Sequence, residues 1–307
     1  MGRIGKYWNQ FFFDPISPAS LGLFRICFGF VVFLSVLGKY PFRRIFYSDQ
    51  GIVSYATLTH FFPGNPWLYF RWMPDQDPGL QFFFIGLLVA SAFLTVGLFS
   101  RVSSVLVFLG IICLSNRNFF VDNAGDDLLR INCFFLMFAP CGAAYSLDRV
   151  WKIKQGLVAR GSLPRVSPWA QRLLQLQLAY LYIDTFLLKL PGEGWQDGTA
   201  LYYALNYREL QRFNFKYFFY TLWQIKLATY SVEFLELAAG TLIWFRAFRY
   251  WVLAGAFLLH FGINLTMQFP VFQYVMMASL IVFIYPEDME RWLNYLAQRS
   301  AKIPLAP

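Results

Sequence analysis

The sequence predicts an all-α, polytopic integral membrane protein, a helical bundle of about eight transmembrane helices. Of its 307 residues, 58% are hydrophobic and only 14% are charged, whereas soluble domains average about 25% charged residues. Several apolar stretches reach or approach the roughly 20 residues that a helix needs to cross a bilayer. No low-complexity linker and no repeat of about 20 to 50 residues divides the sequence. Residues 1–307 are therefore predicted to form one helical domain.

Eight apolar windows are the predicted spans. In chain order they cover residues 19–38, 79–100, 102–116, 127–147, 170–190, 227–245, 250–268 and 269–285. The third and the eighth are short, so each is either a full span or a tilted, re-entrant or partly buried segment. Between the windows, residues 39–77 are rich in aromatic and turn residues and predict an interfacial segment. Residues 148–169 form a basic loop. Within residues 191–226, the aromatic and charged stretch YYALNYRELQRFNFKYFFYTLWQIK predicts an amphipathic helix on the outer surface.

The net charge of +9 is scattered over the loops of an otherwise apolar chain, which favours membrane lipid over nucleic acid as the partner. Lys and Arg concentrate in the cytoplasmic loops of membrane proteins. Here they favour cytoplasmic N- and C-termini, chiefly because one inner loop contains Arg149, Lys152, Lys154, Arg160 and Arg165.

Charged side chains inside the windows are functional candidates, because each costs at least about 2.5 to 3.5 kcal/mol at the bilayer centre. They are Arg25, Arg130, Arg172, Asp184, Lys189, Glu233 and Glu236, with His260 as a titratable neutral group.

Arg25 lies about two turns into the first span, too deep for easy snorkelling. It is expected either to pair with an internal acid such as Asp126, Asp127 or Glu236, or to touch a ligand. Asp127 and Arg130 are spaced i,i+3 at a helix start and predict a structural ion pair. Glu236 lies mid-span and should be protonated if it has no cation beside it.

Lys189 is followed by a Leu-Pro-Gly turn in TFLLKLPGEGWQDG. Asp184 stands five residues earlier, about 140° away around the helix, so the two do not share a face. The face of Lys189 carries Tyr182, Thr185 and Phe186. Two readings remain open from the residues alone: an interfacial anchor whose amine reaches the headgroups, or a neutral amine in a dry pocket that accepts a proton.

His260 lies midway along the seventh window, with Asn264 one turn further on. It is either a hydrogen-bonded core histidine or a catalytic, quinone-contacting residue. A metal site is not expected, because the histidine has no ligand partners at metal-binding spacing. Nor do the four cysteines show a metal or redox spacing.

Five segments together resemble a known family. They are DPISPASLGLFRICFG, NAGDDLLRINCFFLMFAPCGAAYSLD, LQLQLAYLYIDTFLLKLPGEGWQDGTALYYAL, ELAAGTLIWFRAFR and LLHFGINLTMQFPVFQYVMMA. In this order they resemble the HTTM (horizontally transferred transmembrane) domain, the membrane part of vitamin K-dependent gamma-carboxylases. The resemblance covers residues 14 to about 285.

The resemblance implies a quinol-dependent membrane enzyme. The family's carboxylases deprotonate reduced vitamin K with a membrane-embedded lysine. Oxygen then adds, the resulting base removes a glutamate γ-proton, and the carbanion captures carbon dioxide. The lysine in FLLKLPGEGWQDG matches that base, which makes Lys189 the candidate catalytic base, and His260 is the second candidate catalytic residue, expected to position the quinol. Reduced vitamin K or another quinol is the implied cofactor, with oxygen and carbon dioxide as co-substrates at the outer face. Tyr182, Phe186, Trp195, Arg25 and Asn264 are the candidate quinol-binding residues.

Two departures from the vertebrate carboxylases bear on activity. Those enzymes have a histidine near the start of the helix that corresponds to NAGDDLLR, where this chain has Gly125 and Asp126. They also carry a large lumenal region that holds the protein substrate. High-affinity capture of a peptide or protein acceptor is therefore expected either to come from a separate substrate-binding subunit or not to occur. The alternative is a non-catalytic quinone-binding, peptide maturation or immunity factor on the same fold. A transporter would show inverted repeats, and none is apparent in the sequence.

Overall fold

Helices dominate the computed structural model, which describes residues 2–64, 73–159, 161–213, 221–269 and 271–300. In that part of the chain the only β-pairings are two isolated bridges, Ile16 with Val166 and Gln211 with Met267. The chain divides into two compact units, residues 1–171 with 286–307, and residues 172–285. One helix runs through the boundary between these units. That residues 1–307 form a single domain stays a prediction.

The first unit contains most of the long apolar helices. Its helices are α1 Arg3–Phe13, α2 Ala19–Lys39, α3 Arg43–Tyr47, α4 Tyr55–Phe61, α5 Gly79–Val96, α6 Ser100–Arg117, α7 Ala124–Phe138, α8 Leu147–Lys154 and α15 Pro286–Ser300. α2 packs on α5, α5 on α6, and α6 on α7, while α15 packs on α2. Gly97, with φ +72°, ends α5 in the left-handed conformation. The Asp148 carboxylate then accepts from the backbone N–H groups of Phe99 and Ser100, both at 2.7 Å, at the start of α6.

The second unit is built from the helices α9 Trp169–Lys189, α10 Glu193–Gln196, α11 Ala200–Asn206, α12 Leu222–Gly240, α13 Arg249–Thr266 and α14 Phe272–Ser279. α9 begins three residues before the boundary between the units. α12 packs on α13, and α13 packs on α14. Small residues bring α12 close to α9, because a Cβ atom on Gly240 would lie 2.4 Å from Ile183 Cγ1.

Among the described residues, three helical segments are long and apolar enough to cross a membrane: Ala19–Tyr47, Gly79–Val96 and Ser100–Arg117. The third contains the short window 102–116 and extends it to 18 residues. The eighth window contains a shorter apolar helical stretch, Phe272–Phe283. α12 has span length but contains three charged residues, Lys226, Glu233 and Glu236. These three charges weaken the apolar signal of α12.

Two expectations on helix extent need correction. The window 127–147 is not one helix, since α7 ends at Phe138 and extended Ala139 precedes Pro140, a residue type that disfavours helix before it. Residues 202–226 are not one amphipathic helix, because α11 ends at Asn206 and α12 begins only at Leu222. Residues 214–220 of that segment, residues 65–72 of the interfacial segment, and Arg160 lie outside the described residues. The helices α1, α8 and α15 had not been predicted.

Candidate functional site

The turn after α9 brings an aromatic ring over the Lys189 amine. Gly192 N–H donates to the Lys189 carbonyl at 2.9 Å, and Trp195 N–H donates to the Gly192 carbonyl at 3.0 Å. This tight reversal places the Trp195 ring centroid 4.6 Å from Lys189 Nζ, within cation–π distance. The Leu-Pro-Gly turn therefore covers the amine with an aromatic face.

Glu236 of α12 is the ion-pair partner of Lys189. Lys189 Nζ donates to Glu236 Oε1, and the two side chains are 19% and 10% exposed, respectively. The second carboxylate oxygen, Oε2, is buried and has no hydrogen-bond partner among the described residues. A half-buried amine thus lies beside a carboxylate that still has one oxygen free to accept a proton or a hydrogen bond.

A buried hydrogen-bond chain runs from α9 through α13 to α14. The Tyr182 hydroxyl lies 2.7 Å from His260 Nε2, and His260 Nδ1 lies 2.6 Å from Gln273 Oε1. All three residues are buried. Because an amide oxygen can only accept, this arrangement assigns the histidine proton to Nδ1 and leaves Nε2 to accept from Tyr182.

The ion pair and the hydrogen-bond chain adjoin one another. Glu236 interacts electrostatically with Tyr182, and Lys189 interacts electrostatically with His260. Tyr182 and Lys189 are seven residues apart on α9, so they share one helix face. Four helices, α9, α12, α13 and α14, therefore bring an amine, a phenol, a carboxyl group, an imidazole and an amide into one apolar region of the second unit.

The remaining candidate residues of this unit lie around the cluster. Phe186 is half-buried on α9, one turn before Lys189. Asn264 Nδ2 donates to the Tyr274 hydroxyl at 3.3 Å, while Asn264 Oδ1 is buried without a hydrogen-bond partner in the described part of the chain. An aromatic side chain and a second orphaned acceptor thus belong to the same unit as the amine.

Arg25 does not pair with Asp126, Asp127 or Glu236, which corrects the first of its two predicted alternatives; contact with a ligand stays a prediction. It lies in the first unit, where its guanidinium donates to the carbonyls of Cys141 at 3.1 Å and Tyr145 at 2.6 Å. Carbonyls in a turn after a helix end are unsatisfied acceptors, and a buried guanidinium supplies several donors at once.

The acids proposed as partners of Arg25 bind other cations. Asp126 accepts from Lys39 Nζ at 2.7 Å. Asp127 lies 2.6 Å from Arg130 Nη2, as the i,i+3 spacing predicts. Glu236, the third, is occupied by Lys189.

Sequence reasoning missed Gln273 and the pairing of Lys189 with Glu236. Gln273 carries no charge, so a survey of intramembrane charges passes over it. The available signal was its position as a lone polar side chain in the apolar stretch VFQYVMMA. The Lys189 pairing had no local signal, because its two residues are 47 positions apart in sequence.

Three helical segments of the first unit are long and apolar enough to cross a bilayer, and the second unit contains a buried polar cluster; both features fit a helical membrane protein. A family model, HTTM domain, matches residues 13–288. The chain therefore belongs to the HTTM-domain family, the family of the membrane core of vitamin K-dependent carboxylases. No solved structure matches the chain. Within the described residues, no group of three His, Cys, Asp or Glu side chains is placed to hold a metal ion.

Proposed function

We propose that this protein is a quinol-dependent membrane enzyme, a carboxylase-like lyase with epoxidase activity, in which Lys189 is the general base. The observation that carries the proposal is the position of the Lys189 amine between the Trp195 ring and Glu236, in a half-buried site of an apolar unit. Membership of the HTTM-domain family supports it independently.

The side chains around the amine suit a quinol. A flat aromatic diol needs apolar and aromatic walls and a few polar groups at its hydroxyls. Trp195 and Phe186 supply aromatic surface. The orphaned oxygens Glu236 Oε2 and Asn264 Oδ1 are acceptors that a hydroxyl would satisfy. When bound, the reduced quinone supplies an acidic hydroxyl and, with oxygen, the strong base that acts on the acceptor.

Each protein group then has a role in handling protons. Lys189 Nζ accepts the proton from the bound hydroxyl when its own proton rests on Glu236. The contact between the amine and Glu236 Oε1 allows that proton to be exchanged within one hydrogen bond. His260, held by Gln273, keeps the Tyr182 hydroxyl oriented toward Nε2. The role of His260 is thus to position the Tyr182 hydroxyl next to the catalytic amine, and not to bind a metal.

We further propose about eight spans, with both termini in the cytoplasm and the Lys189 end of α9 at the outer face. The three candidate spans and the basic loop that contains Arg149 and Lys152 support this arrangement. In this topology, carbon dioxide and a peptide or protein acceptor would reach the site from outside, the acceptor held by a separate subunit.

The test is oxygen uptake and quinone epoxide formation by the purified full chain with reduced vitamin K or menaquinol. Lys189→Ala should lower turnover about 10² to 10⁴-fold, the usual contribution of a general base. Lys226→Ala is the matched control, because Lys226 lies on α12 of the same unit, outside the cluster. Negligible uptake by folded wild type, or full activity of Lys189→Ala, would exclude the proposed chemistry.

One observation favours a second candidate function. A lysine that already donates to a carboxylate can serve as a structural cation. The chain would then be a non-catalytic quinone-binding, peptide maturation or immunity factor. Quinone binding without turnover, together with loss of stability but not of quinone affinity in Lys189→Ala, would support this function.

A further inference from the structure

The first unit contains a cavity that shares no residue with the Lys189 cluster. It measures about 440 Å³ and lies between the end of α5, the turn before α8, α8 itself and α15. Its polar lining includes Tyr145, Arg149, Glu290 and Asn294, and its apolar lining includes Leu147 and Val150. This volume is within the usual range for small-molecule sites.

Tyr145 reaches this cavity from a strained backbone. Its φ of +50° lies in the left-handed region, which among the described non-glycine residues only Phe99 shares. Arg25, the intramembrane arginine that the proposed function does not use, donates to the Tyr145 carbonyl at 2.6 Å. The Tyr145 hydroxyl is buried and has no hydrogen-bond partner among the described residues. Strain of this kind clusters at functional sites, and a buried orphaned hydroxyl needs a partner.

The cavity also presents one cation and one carboxylate that do not neutralise each other. Arg149 is buried and donates from Nη2 to the Ser162 carbonyl. Glu290 and Asn294 lie one turn apart on α15, and Glu290 interacts electrostatically with Tyr145. In the described part of the chain, Arg149 and Glu290 form no ion pair. A ligand with both a negative and a positive group matches this lining.

The rim of the cavity is apolar. Leu147 and Val150 line it and are each 47% exposed, and Trp151 beside them is 53% exposed. Exposed aliphatic side chains next to a tryptophan are typical of the level where a membrane protein meets lipid headgroups. A ligand whose charged part enters the cavity can therefore extend apolar chains along α8.

We propose that this cavity binds the headgroup of a phospholipid that carries a phosphate and a primary ammonium group. The phosphate accepts from the Arg149 guanidinium and the Tyr145 hydroxyl, and the ammonium donates to Glu290. Arg25 acts as a positioning residue, since it holds the Tyr145 backbone in the conformation that aims the ring. The acyl chains lie against Leu147 and Val150.

The test is lipid binding by the purified, delipidated full chain, measured by native mass spectrometry and by the shift of the unfolding temperature. Three probes are compared: phosphatidylethanolamine, phosphatidylglycerol and the water-soluble glycerophosphoethanolamine. Wild type should prefer phosphatidylethanolamine over phosphatidylglycerol at least about tenfold, which corresponds to about 1.4 kcal/mol. Equal affinity of wild type for the two lipids would overturn the proposal. Glycerophosphoethanolamine binding as tightly as the lipid would overturn the assignment to a lipid.

Two mild variants localise the site. Glu290→Gln should lose the preference for phosphatidylethanolamine and leave phosphatidylglycerol affinity unchanged. Tyr145→Phe should weaken both lipids several-fold. The matched controls are Glu287→Gln, on the same helix but exposed, and Tyr7→Phe, exposed on α1. Behaviour of Glu290→Gln identical to that of Glu287→Gln would overturn the proposal. None of these readouts depends on quinol turnover.

Discussion

The Lys189 amine contacts Glu236 of α12 and not Asp184 of its own helix. Side chains on a helix incline toward its N-terminus, so the Lys189 side chain extends back along α9 to Glu236. The amine therefore lies between the Glu236 carboxylate and the Trp195 ring. This relationship underlies the proposed base and the predictions below.

Breaking the Lys189–Glu236 pair from one side should destabilise the protein more than removing both partners. We expect Glu236→Leu to lower the free energy of unfolding by about 2 kcal/mol. This is less than the roughly 3 to 5 kcal/mol for a fully buried charge, because the Lys189 side chain is 19% exposed. The double variant Lys189→Met/Glu236→Leu should recover at least half of the loss. Reversible denaturation in detergent gives the free energies of unfolding of wild type, the single variants and the double variant, which together form a double-mutant cycle.

The control for that cycle is the exposed pair Asp127 and Arg130, whose side chains are 56% and 38% exposed. Its coupling energy should be about 0.5 kcal/mol or less. Equal coupling energies for the two pairs would contradict the special position of Lys189.

Removing the Trp195 ring should cost stability only while the lysine is present. Trp195→Leu should lose about 0.5 to 2 kcal/mol of cation–π stabilisation, and the loss should shrink in a Lys189→Met background. Gly192→Ala should have a related effect, since its Cβ would lie 3.0 Å from Trp195 Cδ1. Gly194→Ala, in the same turn, is the control, because its Cβ would meet its neighbours at 3.4 Å or more.

Gln273 should determine the tautomer of His260. The chain has two histidines, so His60→Gln leaves one signal in a ¹⁵N-histidine spectrum. We expect that signal to show a protonated Nδ1. Gln273→Leu should remove this preference and cost about 1 to 3 kcal/mol, since a buried N–H loses its acceptor. Gln268→Leu should leave the spectrum unchanged, and an Nε2-protonated wild type would contradict the assignment.

The close approach of α9 and α12 should depend on Gly240. Gly240→Ala would place a Cβ 2.4 Å from Ile183 Cγ1 and 3.1 Å from the Ala179 carbonyl oxygen. We expect a loss of about 1 to 3 kcal/mol from overpacking. Gly262→Ala on α13 meets nothing within 4 Å and should instead gain about 0.4 to 1 kcal/mol. The unfolding temperatures of the two variants, compared with that of wild type, test this prediction.

Asp122, in the connection between α6 and α7, should destabilise the folded protein at neutral pH. Burial raises the pKa of its carboxyl group, although Ser115 and Lys39 act in the opposite direction. A raised pKa in the folded state favours the protonated form. This contribution to stability is complete below the unfolded value of 3.8 and is lost as the pH rises through the folded pKa.

Asp122→Asn should therefore unfold at a higher temperature than wild type at pH 7, and the difference should shrink as the pH falls toward 4. Lys39 retains Asp126, 2.7 Å away, in the variant. A lower unfolding temperature of Asp122→Asn at pH 7 would show that the Lys39 contact outweighs the cost of burial.

Local spacing predicted much of the helical structure correctly. The windows 19–38 and 170–190 match α2 and α9 closely, because a long apolar run in a helical period has few alternatives. The same angular reasoning excluded Asp184 as the partner of Lys189 and placed Asp127 beside Arg130. The helix end at Phe138 was missed because apolar residues continue past Pro140, and hydropathy outweighed the proline signal.

By itself, the sequence determined the helical membrane class, the polar residues that a membrane would make costly, and the helix faces that carry them. Only the tertiary structure decided which of those residues meet. Lys189 pairs with Glu236 because a glycine lets α12 approach α9, and His260 meets Gln273 because α13 and α14 pack together. Arg25 binds carbonyls because a turn 116 residues away folds against it. The helix face on which a residue lies follows from the fixed rotation of about 100° per residue. The residue with which it pairs follows from contacts between helices, which the local sequence pattern does not encode.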